Sequence, residues 1–310
     1  MRCRVVSLTI LSVSMIGFSV VRAQTPQAAV NYFEHGYDKV GKRDLDGAIE
    51  DYTRAIIISS RLAPAGLKSS FASDANWNNV TVVDPFTSSA YNNRGVAHFY
   101  KGEFDEAISD FNRAIKIRPA LPQPYLNRGA ALRAKGDLKG ALADINRAIS
   151  LKNDLAEAYT NRGSIKQDLG DFDGAIADFD QSLKFKPDLA DTYSSRGWAF
   201  IDLKKFDLAM KDFERAIKLD DKLAWGYQGR GVVFLGRGDT AHAIADFTRT
   251  IELEPNLARA YFNRGLALLL EGKDDQAQAD FDKCLALRPA LKREVEERAK
   301  LARELRAQRD

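Results

Sequence analysis

The chain has 310 residues, 45% hydrophobic and 29% charged, with 46 Lys plus Arg against 43 Asp plus Glu. So near-neutral a body carries no electrostatic footprint for nucleic acid or an anionic membrane surface. Two cysteines and three histidines, with no second ligand at metal spacing, leave no metal site, no disulfide framework and no cofactor motif to assign.

Residues 1–23 stand apart. Arg2 and Arg4 precede Val5 to Val21, an uncharged apolar run, and Val21-Arg22-Ala23 sets small residues where a signal peptidase reads. The expectation is a signal peptide cleaved before Gln24, no membrane span afterwards, and a periplasmic or secreted protein. Loss of Arg2, Arg4 and Arg22 brings the balance to 43 against 43, and loss of Cys3 leaves Cys284 as the one cysteine. Residues 24–63 hold a weak copy of a helical hairpin, marked by Tyr32, His35-Gly36, Ala48 and Tyr52. Residues 64–88 read as an insertion, either a loop or a lengthened helix end, rich in Ser, Asn and Ala around Phe71, Trp77 and Phe86. Six further copies fill 89–290. Residues 291–310 place Leu291, Val295, Ala299, Ala302 and Leu305 on one stripe amid charge, as a capping helix would.

The six copies are set by Arg-Gly pairs at a constant spacing of 34: Arg94-Gly95, Arg128-Gly129, Arg162-Gly163, Arg196-Gly197, Arg230-Gly231 and Arg264-Gly265. Within each, apolar and small residues recur three or four apart in two stretches, which is helical spacing. A fixed period of this length marks stacked supersecondary units that bury a face only against their neighbours. With Gly in the eighth place, the fourth is Tyr (Tyr91 through Tyr261), the twentieth Ala (Ala107 through Ala277), the twenty-fourth Phe or Ile, and Pro stands near the end at Pro119, Pro187, Pro255 and Pro289. This frame resembles the tetratricopeptide repeat family, in an exported bacterial form. The resemblance implies an all-α, right-handed superhelical solenoid of helix-turn-helix repeats whose first helices line a concave groove.

Turn chemistry agrees with the frame. Gly102, Gly136, Gly170, Gly238 and Gly272 fall where a first helix ends in left-handed backbone, with Lys204 substituted in one copy. Asp105, Asp173, Asp207 and Asp275 suit the start of the second helix, as N-caps or first-turn acids. The Arg at the seventh place is matched by Asp at the twenty-third: Arg94, Arg128, Arg162, Arg196, Arg230 and Arg264 with Asp110, Asp144, Asp178, Asp212, Asp246 and Asp280. Antiparallel helices bring such residues together, so a structural ion-pair ladder is expected.

No acid and base, nucleophile or metal cluster stands outside the repeat frame, so an enzyme is not expected. His35, His98, His242 and Cys284 each occupy an ordinary repeat position. Arg237-Gly238-Asp239 spells an adhesion tripeptide, but it falls on a turn that wants Gly and Asp anyway. A protein or peptide partner is the expectation instead. At the sixth place stand Asn93, Asn127, Asn161 and Asn263, with Ser195 and Gly229 between. Such a row is either a ladder pairing with the backbone of an extended peptide or a helix contact inherited with the frame. Phe99, Trp198 and Trp225 supply apolar area in the implied groove, beside Glu157, Asp168, Asp191 and Asp202, which suits a segment carrying Lys or Arg and large apolar residues. The alternative is an envelope protein that self-associates into a homo-oligomer through its end repeats or the insertion.

Overall fold

The computed structural model describes residues 27–61 and 85–308. The expected signal peptide, and the expected insertion as far as residue 84, lie outside the described residues. Fifteen helices and one short 3-10 turn account for nearly all described residues, and no strand occurs among them. Contacts divide the chain into two compact units, one ending at Leu169 and the other beginning at Gly170.

The first unit contains α1 (Gln27–Gly41), α2 (Leu45–Arg61), α3 (Pro85–Lys101), α4 (Phe104–Ile117), α5 (Pro122–Lys135), α6 (Leu138–Leu151) and α7 (Ala156–Leu169). Helices pair as α1 with α2, α3 with α4 and α5 with α6, and α7 packs on α6. Helix α3 has already begun at Pro85, ahead of the boundary expected at residue 88, and Phe86 lies 5.1 Å from Phe33.

The second unit contains α8 (Phe172–Phe185), α9 (Ala190–Asp202), α10 (Phe206–Leu219), α11 (Ala224–Gly236), α12 (Thr240–Leu253), α13 (Ala258–Leu270), α14 (Asp274–Leu287) and α15 (Lys292–Ala307). Helix α8 packs on α9, the next six form three hairpins in order, and α15 closes against α13. Val295, Ala299 and Ala302 make the buried stripe of α15, whereas Leu305 remains exposed. Arg259 on α13 holds Glu294 on α15 through two hydrogen bonds of 2.5 and 2.8 Å.

The period of 34 has a packing cause. A Cβ added at Gly95 would lie 2.7 Å from the ring of Phe111, and one added at Gly265 would lie 2.6 Å from that of Phe281. These first helices therefore touch their second helices through a residue with no side chain, opposite a fully or almost fully buried Phe, or Ile145 in the copy of Gly129. Hairpin turns repeat as well, from Gly102 at φ +82° to Lys204, which takes the same left-handed conformation at φ +60°. The acids at the start of the second helices divide between the two roles expected of them. Asp137, Asp171 and Asp239 accept from the backbone N–H of Gly140, Gly174 and His242, whereas Asp105, Asp173, Asp207 and Asp275 sit inside the first turn. The carboxylate that caps is the one directly after the turn glycine, because only there does its oxygen reach an unbonded N–H.

Candidate functional site

Two sets of residues recur with the repeat. The first is the arginine of the seventh place. Arg94 donates from Nε and Nη2 to Asp110 at 2.7 Å each, and Arg128, Arg196, Arg230 and Arg264 do the same to Asp144, Asp212, Asp246 and Asp280 at 2.6–2.8 Å. These aspartates are buried. Arg162 belongs to the first unit and the buried Asp178 to the second.

The free end of the guanidinium turns to the preceding second helix. Nη1 of Arg128 donates to Asn112 at 2.5 Å, that of Arg162 to Asn146 at 3.0 Å, that of Arg196 to Asp180 at 2.5 Å and that of Arg264 to Thr248 at 3.2 Å. Below lies the tyrosine ring of the fourth place, 5.2–5.9 Å from each guanidinium carbon from Arg94 to Arg264. One arginine thus ties a first helix to two consecutive second helices and stacks on a ring. Its donors are spent inside the scaffold, which makes this set structural.

The second set is the face of the first helices, and here the units differ. In the first unit Asn93 and Asn127 are wholly buried and Asn161 nearly so. One amide bond crosses repeats, from Asn127 Nδ2 to Asn92 Oδ1 at 2.9 Å, and two lie within a helix, from Gln123 Nε2 to Asn127 Oδ1 at 3.3 Å and from Asn92 Nδ2 to Asn93 Oδ1 at 3.2 Å. Asn127 and Asn92 thus join neighbouring first helices, while Asn161 Nδ2 is buried with no hydrogen-bond partner within the protein. Asn263, in the second unit, is half-buried. Phe99 is also half-buried, packed 5.4 Å from Phe104. Asp168 is held at 2.7 Å by Arg133, with both side chains about nine-tenths buried, so it offers no free charge to a ligand.

In the second unit the same face is aromatic. Asp191, Ser195, Trp198 and Asp202 follow each other at four, three and four residues along α9, one stripe of a helix. Trp198 meets Trp225 of α11 edge to face, 6.4 Å between centroids at 76°, and meets Phe213 of α10 at 5.7 Å. Both tryptophans are half-exposed. Trp198 occupies the ninth place, where other copies have Val96, Ala130, Ser164, Val232 and Leu266. The extra volume is matched at Gly229: a Cβ there would fall 2.2 Å from the Phe213 ring. Gly229 and Trp198 thus both border the Phe213 ring, two departures from the frame that the sequence shows only separately.

Two polar atoms at this place have no hydrogen-bond partner within the protein although buried: Trp198 Nε1 and Gln228 Oε1. Burial raises the Asp191 carboxyl above its ordinary value, and the neighbouring Asp220 adds to the effect. Asp202 is exposed at the end of the stripe. Phe262 and Leu269 are buried, where α15 closes on α13.

Catalytic groups do not converge among the described residues. His98 bonds Glu103 at 2.6 Å, His242 stacks 5.1 Å from Phe234 beside its cap Asp239, and Cys284 is buried. No described group of His, Cys, Asp and Glu is arranged to hold a metal, and no described helix is long and apolar enough to cross a membrane.

Family models for the tetratricopeptide repeat match residues 88–121, 156–189, 190–223 and 258–291, and a further TPR repeat model matches 129–170. Together they cover more than half of the chain. The chain belongs to the tetratricopeptide repeat family. Repeats of this family typically act as non-enzymatic protein-interaction scaffolds. Among solved structures it is similar to a tetratricopeptide repeat protein from Parabacteroides merdae, at 22% identity and a TM-score of 0.62, covering 89% of this chain and 99% of that one. It is also similar to a chain in the crystal structure of the APC/C hetero-tetramer Cut9-Hcn1, at 18% identity and a TM-score of 0.66, covering 80% of this chain and 44% of that one. A thermophilic TPR protein from Thermus thermophilus matches at 19% identity with a TM-score of 0.52, over 59% of this chain and 99% of its own. At these identities the likeness is one of fold. No curated protein matches the chain significantly.

Proposed function

We propose that this tetratricopeptide repeat protein is a non-enzymatic scaffold that holds an extended peptide or a helix of a partner on the first-helix face of its second unit. The observation that carries this reading is the half-exposed pair Trp198 and Trp225, for which the chain gives up the common asparagine at residue 229. Large aromatic side chains with one free edge are typical anchors of protein interfaces. Selection of peptides from a display library on the purified protein tests it. Replacing Trp225 by Ala is expected to weaken the selected peptides at least about tenfold, the loss of one anchor residue, with the thermal midpoint little changed. Undiminished binding would refute the reading.

We further propose that the protein acts in the periplasm or outside the cell, on the strength of Arg2, Arg4, the uncharged run and Val21-Arg22-Ala23. N-terminal sequencing of the mature chain tests this, with Gln24 as the expected first residue and Met1 as the contrary result. Self-association is a second reading, favoured by Leu301 and Leu305, which leave 43% and 47% of their surface exposed on the terminal helix α15. A scattering mass that doubles with concentration, and stays monomeric when both become Lys, would favour it.

A further inference from the structure

Elsewhere in the protein a buried carboxylate has a cation. Asp110, Asp144, Asp212, Asp246 and Asp280 each meet an arginine, Asp51 meets Lys39 and Asp168 meets Arg133. Asp191 is half-buried and meets no Lys or Arg within ion-pair distance among the described residues, while a second carboxylate, Asp220, lies close enough to act on it. Removing a carboxylate from water without a counter-charge is unfavourable, and a neighbouring negative charge makes it more so. Nothing in the packing of α9 requires an acid there, since the same place in the other copies holds Ser89, Gln123, Glu157, Trp225 or Arg259.

The surroundings of Asp191 supply the rest of a receptor. Trp198 stands two turns further along the same stripe, and Trp225 reaches it from α11, which is in direct contact with α9. Aromatic faces attract a cation and accept the aliphatic stem of a long basic side chain. Trp198 Nε1 is buried without an acceptor within the protein, so it is the two rings, not this atom, that face an arriving chain. An uncompensated acid and two tryptophans in edge-to-face contact are complementary to one kind of guest.

We propose that Asp191, Trp198 and Trp225 form a receptor for a single lysine or arginine side chain of the bound segment, with its stem against the two rings and its charge on the Asp191 carboxylate. This rests on the reading of the second unit's first-helix face as the docking face, and it adds the chemistry of the guest.

The experiment follows the indole N–H signals of Trp198 and Trp225 by nuclear magnetic resonance in the full chain. The probes are N-acetyl-arginine amide, N-acetyl-lysine amide, and the uncharged N-acetyl-citrulline amide and N-acetyl-norleucine amide. The expected result is saturable movement of both signals with the two cations, at concentrations at least about tenfold lower than with the uncharged probes, a difference of ~1.4 kcal/mol. Asp191→Asn should erase that preference and leave the indole signals of the free protein in place, which shows that the fold is intact. Equal responses to arginine and citrulline, or a cation preference that survives Asp191→Asn, would overturn the receptor while leaving the docking face standing. Absence of any response to all four probes would overturn the receptor. The display experiment with Trp225→Ala judges the docking face separately.

Discussion

The two units share a scaffold and differ on one face. In both, Arg-Asp pairs on a tyrosine ring tie consecutive hairpins, and a ring of the second helix sits on a glycine of the first. On the first-helix face, the first unit closes a row of amides into buried mutual hydrogen bonds, from Gln123 to Asn127, Asn92 and Asn93. The second unit puts Trp198, Trp225 and an unpaired Asp191 at corresponding places. Identical frames can therefore be sealed or open, and side-chain volume at the ninth, sixth and second places decides which.

The shared scaffold is the first point of attack. Asp144→Ala and Asp212→Ala each leave an arginine half-buried without its acid, and each should lower stability by about 3 kcal/mol. Chemical denaturation that shows one costly and the other harmless would end the claim of a common spine. Next comes the exchange at Trp198 and Gly229. Restoring the frame residue with Gly229→Asn drives a Cβ into the Phe213 ring and should cost roughly 1–3 kcal/mol. Adding Trp198→Val should recover part of that loss, and strict additivity in the double mutant would show the two departures to be independent.

Asn127→Ala breaks the amide row and strands the Asn92 carbonyl, at about 1–2 kcal/mol. It should leave binding of display-selected peptides unchanged, because the first unit's row is sealed. Smallest is Asp191→Asn. The folded protein holds the Asp191 carboxyl above its ordinary value of 3.8, so the native state favours the protonated form and the residue's contribution declines as pH rises through that range. The variant should equal the parent in thermal midpoint at pH 3.5 and match or exceed it at pH 7, within about 0.5 kcal/mol. A variant less stable than the parent at pH 7 would contradict an uncompensated charge.

Much of this fold was legible because a period of 34 needs only counting, and because glycine and alanine at fixed places leave the packing few alternatives. Arg at seven and Asp at twenty-three gave the partners, yet the third contact, from Arg196 to Asp180 or Arg128 to Asn112, lies in the previous repeat and carries no fixed residue type. Asp105, Asp173, Asp207 and Asp275 lie in the first turn, one of the two places expected, whereas the capping role of Asp137 and Asp171 went unread because it sits on the residue after the turn glycine. The asparagine row was the harder case. An amide at a helical position looks the same in sequence whether a neighbouring helix covers it or not, and only the buried Asn92, Asn93 and Asn127 in three dimensions decide it. The partnership of Trp198 with Gly229 was invisible for the same reason: the residues are 31 apart in sequence and meet through Phe213.

The contrast between the two faces is tested most directly by mapping backbone amide shifts when a display-selected peptide is added to the full chain. The expected outcome is a contiguous set of changes on α9 and α11, centred on Trp198 and Trp225, with α3 and α5 still. Changes centred instead on Asn93 and Asn127 would contradict it.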